Sequence, residues 1–169
     1  MSVRGLIVAS LATAFLAPTT VASAATPSAA TAAADAQQVL TLLNTERRAY
    51  GLPALRWNTR LVSAAHAHNL RMAKANVLSH QLPGEASLGS RFTTAGYRWR
   101  AVGENVGYTT DWTLTGILSV HRRMYQEVAP NDGHRRNILS RTFRDVGIDI
   151  VMDATHHKAW ITEDFGAPF

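Results

Sequence analysis

Two histidines and two glutamates carry most of the chemistry that this sequence offers. His80 follows a helix-like segment, Glu104 lies between a glycine and an asparagine, and Glu127 and His134 flank a Pro-Asn-Asp-Gly break. Imidazole nitrogen and carboxylate oxygen are ligands of zinc and similar divalent ions, and the same groups act as general acids and bases. The four residues therefore predict either a divalent metal site or an acid–base cluster.

Each of these residues also has an ordinary explanation. A single histidine is commonly a polar surface residue or a hydrogen-bonded core residue, and Glu127 at a helix end can point into solvent. Glu104 is more informative, because a charged residue in an otherwise apolar strand needs a partner when it is buried. Asn105 beside it either forms a turn or bonds the backbone near the cleft.

The other histidines fit non-catalytic roles better. His66 and His68 are two residues apart on a predicted helix, about 200° around its axis, so they cannot chelate one ion together. We expect His68 to face the core, and His121 to be buried and hydrogen-bonded in the apolar arc of a later helix. His156 and His157 fall in a predicted hairpin loop and are expected at the surface. The chain has no cysteine, which excludes a thiol nucleophile and cysteine-ligated metals.

Hydrophobic periodicity and capping residues predict the elements that position these residues. Asp35, Asn58 and Asp111 are the expected N-caps of three of the helices. Helices are predicted over residues 36–50, 58–75, 88–95 and 112–128, a short helical turn over 134–139, an extended segment over 98–107, and strands over 145–152 and 158–165. Because helices mostly precede strands, we expect an α+β fold with helices packed on the faces of a sheet.

The N-terminal residues predict export from the cell. One arginine precedes a short apolar run that is followed by an Ala-Ser-Ala cleavage pattern, which together indicate a signal peptide over residues 1–24. Residues 25–34 contain only Ala, Thr, Pro and Ser, a composition typical of a disordered linker. The folded domain is expected over residues 35–169, with no later segment apolar enough to span a membrane.

The charge of the chain is mildly basic. Its formal net charge is +5, and its densest basic cluster comprises Arg135, Arg136, Arg141 and Arg144. Weak attraction to a cell wall or to lipid headgroups is expected from this charge. Nucleic acid is not an expected partner, because no nucleic-acid-binding motif accompanies the arginines.

Several segments together resemble the CAP superfamily, also called SCP domains, which includes the cysteine-rich secretory proteins, antigen 5 and plant pathogenesis-related 1 proteins. The similarity extends over residues 39–166, and the absence of cysteine resembles the bacterial members. The matching segments are residues 43–48, 55–58, 76–80, 103–106, 124–127, 133–139 and 160–166.

This resemblance implies a three-layer α-β-α sandwich with a central cleft. Family members carry two histidines and two acidic residues there, and some bind zinc or another divalent cation through the histidines. By residue-for-residue match, His80 and His134 are the implied metal ligands, and Glu104 and Glu127 are the implied acidic cleft residues, with Asn105 beside them. Residues 124–127 read Met-Tyr-Gln-Glu, where many bacterial members have a serine-containing segment.

Three functions remain open at this stage. The resemblance implies a secreted, non-catalytic module that binds a lipid or sterol, a cell-surface component or a protein. A metal-dependent extracellular hydrolase is the alternative, in which Glu104 or Glu127 activates water on an ion held by His80 and His134. Such a site would bind metal weakly, because catalytic zinc typically has three protein ligands. In the third case the four residues only form a polar network that supports the fold.

Overall fold

The computed structural model describes residues 25–169. The helices are α1 (Ala29–Ala49), α2 (Thr59–Ala75), α3 (Leu88–Thr94), α4 (Leu114–Tyr125) and α5 (Gly133–Ile138), and the strands are β1 (Arg56–Trp57), β2 (Trp99–Thr109), β3 (Asp145–Asp153) and β4 (Lys158–Pro168). No helix within residues 25–169 combines the length and the apolar character needed to cross a membrane.

The strands form one four-stranded sheet with the order β1-β3-β4-β2. β4 pairs antiparallel with both β3 and β2, whereas β1 pairs parallel with β3. β2 is therefore an edge strand. Because its free edge would expose unpaired backbone groups, it needs covering by other parts of the chain.

Helices cover both faces of the sheet, which confirms the predicted α-β-α sandwich. On one face, alternate strand residues such as Ile148, Ile161 and Phe165 pack with α1, α4 and α5 in the largest apolar cluster. On the other face, α2 and α3 contribute Leu61 and Phe92 to a second cluster. Each fully buried side chain of this kind contributes roughly 1.5–3 kcal/mol relative to an exposed one.

Helix α2 lies unusually close to the sheet because β3 has a glycine beneath it. A Cβ atom added to Gly147 would lie 2.2 Å from the backbone nitrogen of Val62. No side chain can be placed there without moving the helix. This contact sets the position of α2, and with it the position of the segment that follows the helix and carries His80.

Two predicted helix boundaries are wrong for identifiable reasons. The first helix begins at Ala29 rather than at residue 36, because the Ser28 side chain caps it and Ala32 packs into the core. Part of the predicted linker over residues 25–34 is therefore helical. The fourth helix begins after Thr113, whose hydroxyl accepts a hydrogen bond from Gly116, while Asp111 accepts one from the Thr113 backbone N–H in the preceding turn. The predicted signal peptide lies outside the described residues.

Candidate functional site

The two histidines come from opposite faces of the sheet and meet at its β2 edge. His80 follows α2, and His134 lies at the start of α5. The centroids of their rings are 6.4 Å apart, and the ring planes are inclined by 37°. The structure thus places the two imidazoles side by side, although 54 positions separate them in the sequence.

His80 is held by a glutamate that is itself held by an arginine. The Nδ1 atom of His80 lies 2.8 Å from Oε1 of Glu104, and Nη2 of Arg91 donates to Oε2 of Glu104 at 2.7 Å. The same Nη2 donates to the backbone carbonyl of His80 at 3.1 Å. The Glu104 side chain is only 2% exposed, whereas that of His80 is 62% exposed. The ring of His80 therefore projects outward from a buried support.

His134 has a similar support from the other side of the cleft. Its Nδ1 atom lies 2.5 Å from Oε1 of Glu127, and its backbone N–H donates to Oε2 of the same residue at 2.9 Å. The backbone N–H of Arg135 also donates to this carboxylate. Glu127 thus satisfies free N–H groups at the start of α5, where the preceding Asp132 makes no side-chain cap.

Both imidazoles bond a carboxylate through the same nitrogen, Nδ1. Because each Nδ1 donates to a carboxylate, the neutral ring keeps its lone pair on Nε2. A carboxylate behind a histidine in this way orients metal-binding imidazoles and increases their basicity. The hydrogen bond to Glu104 raises the pKa of His80, against a smaller opposing effect of burial. Burial would raise the pKa of Glu127, but its hydrogen bonds with His134 and Arg135 lower it.

A divalent cation would find two nitrogen ligands at this site. Within residues 25–169, no group of three or more histidine and carboxylate side chains could hold one ion. Both glutamates already accept hydrogen bonds from the histidines. The residues present therefore fit an open, two-histidine site and do not fit a closed structural site or a three-ligand catalytic one.

Two asparagines join α5 to the edge strand behind the histidines. Asn105 is fully buried, and its Nδ2 donates to the carbonyl of His134 at 3.3 Å and to Glu163 at 3.0 Å. Asn137 Nδ2 donates to the carbonyl of Glu104 at 3.1 Å and to Oδ1 of Asn105 at 2.9 Å. Asn105 therefore positions the His134 segment from behind and does not face the cleft. The same bonds cover part of the β2 edge.

Beside His134 the cleft continues into a shallow groove with a volume of about 240 Å³. Its polar lining comes from His134, Glu127 and Arg123. The rest is mainly apolar, and two of the apolar residues, Leu78 and Tyr108, are 44% and 40% exposed. The groove therefore offers an apolar surface directly next to a histidine.

Sequence reasoning missed the carboxylates around a third, fully buried histidine. His121 is buried and hydrogen-bonded, as predicted, but its partners are Glu163 at 2.6 Å on Nδ1 and Glu46 at 2.8 Å on Nε2. Both glutamates lie in apolar patterns that could have revealed them. Glu46 continues the buried helical stripe of Val39 and Leu43, and Glu163 lies between Ile161 and Phe165 on one face of β4.

The charge of His121 gives a prediction for stability against pH. Burial would lower the pKa of His121, but Glu163 and Glu46 raise it from 6.5 to about 10. Because the folded-state pKa is higher than the unfolded one, the contribution to stability is complete below pH 6.5 and is lost as the pH rises towards 10. We expect the free energy of unfolding to fall over this interval. Urea denaturation at several pH values measures the free energy of unfolding of the wild type and of His121→Gln. The same dependence on pH in both proteins would contradict the raised pKa of His121.

The remaining histidines make local contacts. His68 is fully buried, as expected, and bonds Glu85 through Nδ1 at 2.9 Å and the Ser79 carbonyl through Nε2 at 2.8 Å, so it holds the segment that leads to His80. The other three form separate pairs: His66 with Asp149, His156 with Asp153, and the exposed His157 against the ring of Trp112.

A sequence profile of the cysteine-rich secretory protein family, CAP, matches residues 40–165. The protein YkwD of Bacillus subtilis is 28% identical over 118 residues, which are 68% of this chain and 42% of YkwD. The chain therefore spans less than half of this relative.

Solved structures share the fold at low sequence identity. An extracellular protein containing an SCP domain from Bacillus anthracis superposes with a TM-score of 0.68 at 24% identity, over 80% of this chain and 41% of that one. An outer surface protein from Borrelia burgdorferi gives 0.68 at 12% identity, over 80% and 94%. A cysteine-rich secretory protein from Staphylococcus aureus gives 0.59 at 18% identity, over 79% and 39%. With a profile match over most of its length and the same fold in these neighbours, the chain belongs to the cysteine-rich secretory protein (CAP) family, as a bacterial, cysteine-free member.

Proposed function

We propose that this chain is an extracellular binding module whose cleft takes up a ligand through His80 and His134, with a divalent cation as the simplest such ligand. One observation carries the proposal: both rings use Nδ1 for a carboxylate, so both keep Nε2 for a ligand. A bound divalent ion would supply positive charge and open coordination positions for oxygen atoms of a larger ligand. An extracellular role is supported by the neighbours described as extracellular and outer surface proteins.

The state of the carboxylates favours binding over hydrolysis. A general base must accept a proton from water within hydrogen-bond reach. Glu104 is 2% exposed and uses its two oxygens for His80 and Arg91. Glu127 uses its oxygens for the side chain and backbone of His134. Glu104 is therefore shielded from water, whereas Glu127 is 24% exposed but already bonds the histidine that would hold the ion, so binding is favoured over hydrolysis.

The groove beside His134 indicates the kind of larger ligand. Its exposed apolar residues, Leu78 and Tyr108, lie next to a potential ligand nitrogen. An amphipathic molecule suits this arrangement, with its polar end at the histidines and its apolar part in the groove. The lipid or sterol ligands that the family resemblance implies have this character.

Isothermal titration calorimetry with zinc tests the binding proposal. A pH of about 8 is suitable because the pKa of His80 is raised, so protons compete with zinc for its imidazole at lower pH. We expect one zinc ion per chain and a weaker interaction when the titration is repeated near pH 6. The absence of a saturable heat at the higher pH, or an affinity that does not change with pH, would contradict the proposal.

A further inference from the structure

A second cavity lies between α2 and α3, on the face of the sheet opposite α1 and α4. Its volume is about 280 Å³. The cavity combines small apolar walls with three charged side chains, and its lining is Ser63, Ala64, Ala67, Arg71, Glu85, Ala86, Arg91, Thr94 and Ala95. It is distinct from the histidine cleft, although Arg91 belongs to both.

Arg91 contributes donors that the described residues leave unused. Its side chain is only 8% exposed, and Nη2 is fully engaged by Glu104 and the carbonyl of His80. Nε and Nη1 are buried and have no hydrogen-bond partner within residues 25–169. Leaving a buried donor unsatisfied costs about 1–3 kcal/mol, so such groups usually bond a water molecule or a ligand.

The charges around the cavity favour an anion. Arg71 is 57% exposed and lies beside Glu85, with Nε 3.8 Å from Oε1, and Nη1 of Arg91 lies at the same distance from that oxygen. Glu85 already accepts shorter hydrogen bonds from His68 and from the backbone of Leu82. Both guanidinium groups therefore retain donor capacity, and guanidinium pairs best with carboxylate or phosphate oxygens.

We propose that this cavity binds a small organic carboxylate. The carboxylate group pairs with Arg71 and Arg91, and the apolar body lies against Ala64, Ala67 and Ala95. The volume is slightly below the range of about 300–1,000 Å³ that drug-sized ligands occupy, which favours a small ligand. An inorganic anion would satisfy the arginines but would leave the alanine walls in contact with water only.

Amide NMR spectra of the full chain, titrated with benzoate, benzamide and inorganic phosphate, test the proposal. Benzoate combines a carboxylate with an apolar ring, benzamide has the same shape without the charge, and phosphate has the charge without the apolar body. We expect saturable benzoate shifts at Ala67, Thr94 and Ala95, with a dissociation constant of about 1 mM. Benzamide and phosphate should bind at least about tenfold more weakly.

Two variants localise the binding. Arg71→Ala should weaken benzoate binding by about tenfold or more, and this variant should fold normally because the Arg71 side chain is 57% exposed. Ala67→Leu should weaken it by filling the cavity without changing charge. Arg122→Ala, an exposed arginine on α4, is the matched control and should leave binding unchanged. Absent shifts, equal binding of benzamide or phosphate, or equal loss in the Arg122 variant would overturn the proposal.

Discussion

Glu163→Ala is expected to lower the free energy of unfolding by about 3–5 kcal/mol at neutral pH. The Glu163 side chain is completely buried and accepts hydrogen bonds from His121 at 2.6 Å and from Asn105 at 3.0 Å. Its removal leaves the imidazolium of His121 with only Glu46 as a partner in a fully buried site. Such a loss is large because a buried charge without its partner retains its desolvation cost.

Chemical denaturation of the variant and the wild type measures this effect. Asp132→Ala is a suitable control, because its carboxylate pairs with an arginine that is 69% exposed and should contribute less than about 1 kcal/mol. If Glu163→Ala does not fold, Glu163→Gln retains the shape and should still be less stable than the wild type. If both variants lose the same free energy of unfolding, the buried hydrogen bonds of Glu163 contribute no more to stability than an exposed ion pair, which would contradict the prediction.

His80→Ala and His134→Ala are each expected to weaken zinc binding by more than about 100-fold, or ~2.8 kcal/mol. A site with two protein ligands has no third side chain to compensate for the loss of one. The His80 side chain is 62% exposed, so the melting temperature of its variant should stay close to that of the wild type. If the histidines and glutamates only supported the fold, the same change would lower stability and leave any zinc affinity unchanged.

Calorimetric titration and thermal melting of the same samples separate these outcomes. His157→Ala is the control for the loss of an exposed histidine, since His157 lies in the β3–β4 turn against Trp112. Its zinc affinity should equal that of the wild type. An equal loss in all three variants would indicate nonspecific binding to surface histidines.

The local elements of this fold follow closely from the sequence. Asn58 caps α2 as predicted, and Val146, Ile148 and Ile150 alternate along β3 and are buried on one face. The start of α1 did not follow, because a run of alanines with little to bury is typical of a linker. The Ser28 cap and the packing of Ala32 into the core extend the helix through it.

The site depends more strongly on long-range structure. The spacing of His80 and His134 in the sequence does not predict that they lie at one edge of the sheet. That prediction came from the order of the motifs, which resembles that of the CAP family. Glu104 and Glu127 were expected beside them, but the hydrogen bond that Arg91 donates to Glu104 was not. Glu46 and Glu163 had a visible signal, because both interrupt apolar periodicity at positions that must face the core.

The central claim is that Glu104 and Glu127 hold Nδ1 of the two histidines and leave Nε2 for a ligand. Long-range proton–nitrogen NMR of the imidazole rings, recorded as the pH is raised until the ring resonances stop changing, tests it most directly. We predict that His80 and His134 carry their protons on Nδ1 and that zinc shifts the Nε2 resonances of these two rings. Protons on Nε2 in the free chain, or zinc shifts at Nδ1 or at other histidines, would contradict the account.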